Sequence, residues 1–160
     1  MVGRLNLLAG LSRDGHPVFE EVLVDPQGTG KYLLTSSPGI VLGVAAGDLL
    51  EVSSGGQFTV LARGGNLCIQ IFREAGTDAM TAQAEQAAAS LGGRLDGEAE
   101  RVLVATIPVR LGFTKIERVI QDLVDKFPGA QWYYGNVYDP VDGITPLNWW
   151  LETESDSKKN

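Results

Sequence analysis

The chain is 160 residues long, 44% hydrophobic and 21% charged, and carries a formal net charge of -7 with one histidine and one cysteine. A chain of this size buries roughly two thirds of its unfolded surface and folds without a disulfide or metal staple. Its negative balance works against nucleic acid, whose backbone is held by Lys and Arg. One His and one Cys cannot assemble a structural zinc site, and no apolar run approaches the ~20 residues that cross a bilayer. No stretch near residue 1 joins basic residues to an apolar run and a cleavage site. The expectation is a cytoplasmic protein with no cofactor, no metal, no membrane contact and no direct nucleic-acid contact.

The first half reads as short strands between turns. Residues 4–11 are apolar, Asp14-Gly15 turns the chain into 18–24, and the turn at 25–30 leads into 31–35. After Ser36-Ser37-Pro38, residues 43–66 hold a strand at 48–52, the turn Ser53-Ser54-Gly55-Gly56, a returning strand at 57–63 and a reversal or bulge at Gly64-Gly65. Turn chemistry alone accounts for these glycines, because glycine reaches positive φ without steric cost. In 66–72, Leu67, Ile69 and Ile71 alternate with Asn66, Cys68 and Gln70, the pattern of a strand with one buried face, from which Cys68 points away.

The second half changes character. Thr77 caps a predicted helix whose stripe is Met80, Ala84, Ala87, Ala88 and Leu91, and Gly92-Gly93 stops it. Residues 102–107 are almost uniformly apolar, as in a strand covered on both faces, and Pro108 ends them. Thr114-Lys115-Ile116-Glu117 has the capping-box pattern. It opens a helix in which Ile116, Val119, Ile120, Leu123, Val124 and Phe127 share a face, closed by Pro128-Gly129. Residues 131–138 form an aromatic strand, 144–151 an added edge segment, and 152–160 a polar, disordered tail.

The predicted fold is α+β: a β-meander or barrel-like part over 1–57, then a ferredoxin-like split β-α-β sheet over 58–138 with two helices on one face. An aromatic extension over 139–151 follows, then the tail.

Familiar chemistry is hard to place. Residues 26–32, "PQGTGKY", lack the first glycine of a phosphate loop and the Ser or Thr after its lysine. Pairing Cys68 with His16 would put a nucleophile in mid-strand with no orienting group. Glu20 and Glu21 are adjacent in a strand and point to opposite faces, so they form no acid/base dyad. Two features remain. Asp96, Glu98 and Glu100 are an acidic cluster, read as a solvated loop or, if extended, a ridge. Trp149, Trp150 and Tyr138, framed by Asp139, Asp142 and Glu152, suit a protein-binding patch, since Trp and Tyr dominate interface hot spots.

The succession from "DGHPVFEEVLVDPQGTGKY" through "LLTSSPGIVLGVAAGDLLEV" and "FTVLARGGN" to "VLVATIPV" resembles a bacterial family known as domain of unknown function 4265. The resemblance spans residues 5–138, most specifically Tyr32 through Pro38 to Gly47-Asp48. Where relatives tend to read serine, glycine, histidine, this chain has Gly64, Gly65 and Asn66. The family carries no assigned catalytic residues, so none transfers, and the resemblance implies a small bacterial cytosolic domain. With the acidic balance, the expected function is a non-enzymatic immunity protein that binds a basic bacterial toxin or effector, perhaps a nuclease, at the residues named above. The alternative is a small-molecule-binding or regulatory module.

Overall fold

The computed structural model of the chain describes residues 2–74 and 78–151. Strands β1 (Gly3–Leu11), β2 (Pro17–Gly28), β3 (Lys31–Leu34), β4 (Leu49–Val52) and β5 (Phe58–Ala62) follow one another as an antiparallel five-stranded meander. Leu7, Val22, Val24, Leu34 and Leu50 alternate with less buried neighbours and bury one face of it. The meander curls without closing into a barrel. The Leu8 N–H donates to the Gly56 carbonyl oxygen at 2.9 Å and ties β1 to the β4–β5 turn, yet β1 and β5 stay at opposite edges of the sheet.

The second layer contains β6 (Asn66–Phe72), α1 (Ala79–Ser90), β7 (Arg94–Glu98), β8 (Val102–Pro108), a 3-10 turn (Val109–Leu111), α2 (Phe113–Asp125) and β9 (Gln131–Tyr134). The strands are antiparallel in the order β7-β8-β6-β9, so this half is a ferredoxin-like β-α-β-β-α-β unit. Leu67, Ile69 and Ile71 of β6 and Leu103, Ala105 and Ile107 of β8 pack against Met80 and Ala84 of α1 and Ile116 and Ile120 of α2. Burying each large aliphatic side chain contributes about 1.5–3 kcal/mol, so this shared helix–sheet core dominates the stability of the half.

Several expectations change here. β5 pairs with β4, so the chain passes between sheets at Arg63–Gly65 rather than at 58. The missing strand of the ferredoxin unit is β7, in the charged stretch read as a solvated loop or, if extended, a ridge, recruited by pairing with β8 across a bulge between Leu95 and Gly97. The aromatic strand ends at Tyr134. The capping box does not form: the 3-10 turn runs into Gly112 at φ 87, the helix starts at Phe113, and Thr114 is already its second residue. Residues 144–151 are loop with an isolated antiparallel bridge from Pro146 to Tyr138 and a helical turn at 149–151, so neither tryptophan there lies in a strand. The Thr77 cap and the tail at 152–160 fall outside the described residues.

β6 is buried on both faces, not one. Residues 36–47, between β3 and β4, cross the side of the second sheet opposite the helices and cover Cys68, Gln70, Val104 and Thr106. This closeness explains one glycine, Gly64, that turn chemistry does not. A Cβ on Gly64 would lie 2.5 Å from the carbonyl carbon of Gly47, because the two backbones touch where the chain changes sheets.

Gly64→Ala is expected to lower stability by about 1–3 kcal/mol through overpacking, measured as a shift of the urea midpoint. Gly55→Ala, where an added Cβ meets nothing within 4 Å, should stay within about 0.5 kcal/mol of the parent. Equal midpoints would show that the Gly47–Gly64 approach is not a constraint.

Candidate functional site

Asp48 stands at the junction of the sheets and is 1% exposed. Its Oδ2 accepts from the Ala45 N–H at 3.0 Å and from Arg63 Nη1 at 3.3 Å, and its Oδ1 accepts from the Gly64 N–H at 2.9 Å. Burial raises its carboxyl above the ordinary carboxylate value, against the lowering pull of those amides and of Arg63. Arg63 Nη1 also donates to the Gly43 carbonyl at 2.7 Å, and its guanidinium carbon lies 5.9 Å from the centre of the Trp149 ring. Beside it, Asn66 donates to the Ala46 carbonyl, while Asn136 joins the Cys68 N–H to the Asn66 carbonyl and accepts the Trp149 indole N–H on its own carbonyl.

Two more carboxylates hold the covering segment. Glu20 accepts the N–H groups of Gly39, Ile40 and Val41 at 2.8–2.9 Å. Asp96 accepts the Ser37 N–H and the Thr106 hydroxyl and pairs with Arg94. Cys68 is fully buried with its thiol on the Pro38 carbonyl, and burial pushes that thiol up to about 12, so it stays neutral. A neutral, sealed thiol is a packing group rather than a nucleophile.

The residues expected to bind a partner fall in two places. Asp96, Glu98 and Glu100 sit on and just after β7, at one edge of the second sheet, while Tyr138 and the loop after it follow β9 at the other. The Asp96 side chain is 6% exposed and occupied, whereas Glu98 and Glu100 face solvent. With Glu20 and Glu21, Asp96 and Glu98 line a cleft of about 390 Å³ between β2 and β7. Trp149 is 6% exposed, a core residue with its N–H bound, and Trp150 is half-buried, edge-on to Phe113. Glu152 lies outside the described residues.

The stretch Asp139-Pro140-Val141-Asp142-Gly143 reads as a turn from its sequence, and the structure adds how it is held and what it exposes. Asp139 accepts the Val141 N–H, and Asp142 accepts the N–H groups of Ile144 and Thr145 as well as the Thr145 hydroxyl. That hydroxyl and the amides hold the Asp142 carboxyl below its ordinary value, so it stays charged. These turns order the loop while Val141 is 95% exposed, Ile144 77% and Tyr138 44%. The spacing Asp-x-x-Asp-Gly signals the turn, since Asp side chains that bond their own backbone a few residues on make such turns; the exposure of Val141 and Ile144 has no such local signal.

The inner side of this loop closes a groove of about 440 Å³ between β1 and β5, with Leu8, Phe58, Val60, Pro140 and Leu147 among its walls and Arg63 at one end. Gly43 permits that closure, because a Cβ there would stand 2.9 Å from Pro140 Cγ.

Residues 20–128 match the model of a family described as Domain of unknown function (DUF4265). A solved structure described as a novel crystal structure of a hypothetical protein from Neisseria gonorrhoeae is similar in fold, with a TM-score of 0.62 at 15% identity, covering 84% of this chain and 94% of that one. No curated protein matches the sequence.

Removing the Glu20 carboxylate leaves three loop amides without their acceptor. Glu20→Ala should therefore cost about 2 kcal/mol in urea unfolding. Its neighbour Glu21 makes an exposed pair with Arg4 at 3.0 Å, so Glu21→Ala should cost no more than about 0.5 kcal/mol. Equal losses from these adjacent glutamates would contradict the assigned role of Glu20.

Proposed function

The chain belongs to the DUF4265 family, and from the loop after β9 we propose that it is a non-enzymatic binding protein of immunity type. It neutralises a basic bacterial toxin or effector domain in the cytoplasm by direct binding and occlusion of that domain's active site. The observation that carries this reading is the ordered loop in which Asp139 and Asp142 fix the backbone while Val141 and Ile144 stand in solvent. Apolar side chains held out on a rigid support lose little entropy on being covered, which favours tight association. The neighbouring carboxylates and the net charge of -7 steer a basic surface toward them.

The partner face on this reading is Tyr138, Asp139, Val141, Asp142 and Ile144. Trp149 and Trp150 act behind it as its packed support. The carboxylates of Glu20, Asp48 and Asp96 bind backbone amides and the Cys68 thiol is sealed and neutral, which supports a structural use of these groups. A second reading, a small-molecule-binding module, is favoured by the apolar groove beneath the same loop.

The test is affinity capture of the tagged chain from its native bacterium under toxin-producing conditions, with mass spectrometry of what survives a salt wash. A stoichiometric basic partner is expected, and Val141→Asp with Ile144→Asp should weaken it about 30-fold or more. Folding stability of that variant should stay within about 0.5 kcal/mol, as for other surface changes. Capture undiminished by the double substitution, or no partner at all, would overturn the proposal.

A further inference from the structure

The groove between β1 and β5 has one ionisable lining residue, Arg63, among walls that are otherwise aliphatic, aromatic, proline or glycine. Its volume of about 440 Å³ is within the usual range for small-molecule sites. Arg63 is held there on three sides. Nη1 is committed to the Gly43 carbonyl and the Asp48 carboxylate, and the guanidinium lies against the Trp149 ring. Its side chain is 21% exposed, and Nε and Nη2 make no hydrogen bond among the described residues. No fully buried side-chain nitrogen or oxygen among the described residues lacks a partner, so these two donors are not sealed from solvent.

Nε–H and Nη2–H form the side-on fork of a guanidinium, two parallel donors whose spacing matches the two oxygens of a carboxylate. A fork already fixed by other contacts loses little freedom when it accepts a ligand. Asp48 shares its charge with the Ala45 and Gly64 amides as well as with Arg63, so the guanidinium keeps attraction for a second, singly charged acid. A phosphate dianion fits worse, since an apolar groove offers its extra charge no donors.

We propose that this groove binds a small aliphatic monocarboxylic acid, its carboxylate across Nε and Nη2 of Arg63 and its hydrocarbon body along Leu8, Phe58 and Val60. The inference develops the small-molecule reading and is independent of the partner face, which the capture assay reads separately.

Octanoate is the probe, titrated into the full chain and followed by calorimetry and by backbone amide shifts. Saturable one-to-one binding with a Kd of about 1 mM or tighter is expected, with the largest shifts at Leu8, Phe58 and Val60. Uncharged octanamide should bind at least about tenfold more weakly, the cost of a lost charge-assisted pair. Arg63→Lys keeps the charge without the fork and should weaken octanoate to a similar degree. Because Arg63 also supports the fold, Leu42→Glu is the companion variant: Leu42 lines the groove and is 43% exposed. It should leave the thermal midpoint unchanged and weaken octanoate by charge repulsion. No saturable binding, equal affinity for octanamide, shifts centred elsewhere, or octanoate binding unaffected by Leu42→Glu would each overturn the assignment.

Discussion

The buried carboxylate of Asp48 is the interaction on which the arrangement depends. It takes N–H donors from Ala45 in the covering segment and from Gly64 at the crossing between the sheets, and adds the guanidinium of Arg63. Placing a charge at 1% exposure costs several kcal/mol unless its lone pairs are filled, and here backbone amides fill them. The geometry of the crossing is thereby fixed. Gly47 and Gly64 touch because this carboxylate holds their neighbours together.

From that point the rest of the molecule follows as layers. The segment between β3 and β4 lies across the second sheet, pinned by Glu20 near its middle and by Asp96 near its start. Beside Val104, the segment covers polar side chains for a reason: Gln70 and Cys68 donate to the carbonyls of Gly39 and Pro38, and Thr106 bonds with Ser37. An apolar underside would leave those carbonyls unsatisfied in a dry interface. Asn136 and Trp149 extend the same logic to the loop after β9, tying its base to β6 while its tip stays in solvent. The exposed loop and the Arg63 groove are thus two sides of one hydrogen-bonded support.

What the sequence disclosed was whatever local periodicity encodes. The stripe of α2 from Ile116 to Val124, the doubly covered β8 and the meander of the first half are visible because burial there repeats at the period of the element. β7 was hidden, since "RLDGE" has poor strand preference and is extended only because β8 pairs with it. The second buried face of β6 was hidden because its cover comes from residues about thirty positions earlier. Gly64 read as a turn glycine, for no one-dimensional signal separates positive φ from backbone contact. For the stretch after Tyr134, composition drew attention to the tryptophans, and the structure distributes exposure differently. Trp149 is spent on the core, while Val141 and Ile144 are among the most exposed apolar side chains of that stretch.

The most direct test of this account is amide hydrogen exchange, read by mass spectrometry, on Asp48→Asn beside the parent chain. The substitution keeps the shape of the side chain and removes the charge that gathers Ala45, Gly64 and Arg63. The account predicts faster exchange together in residues 43–48, 63–66 and 136–149, with β1, β2 and α2 unchanged. Exchange altered only at the amides Asp48 itself accepts would contradict it, because the junction would then be one local contact among many rather than the support of both faces.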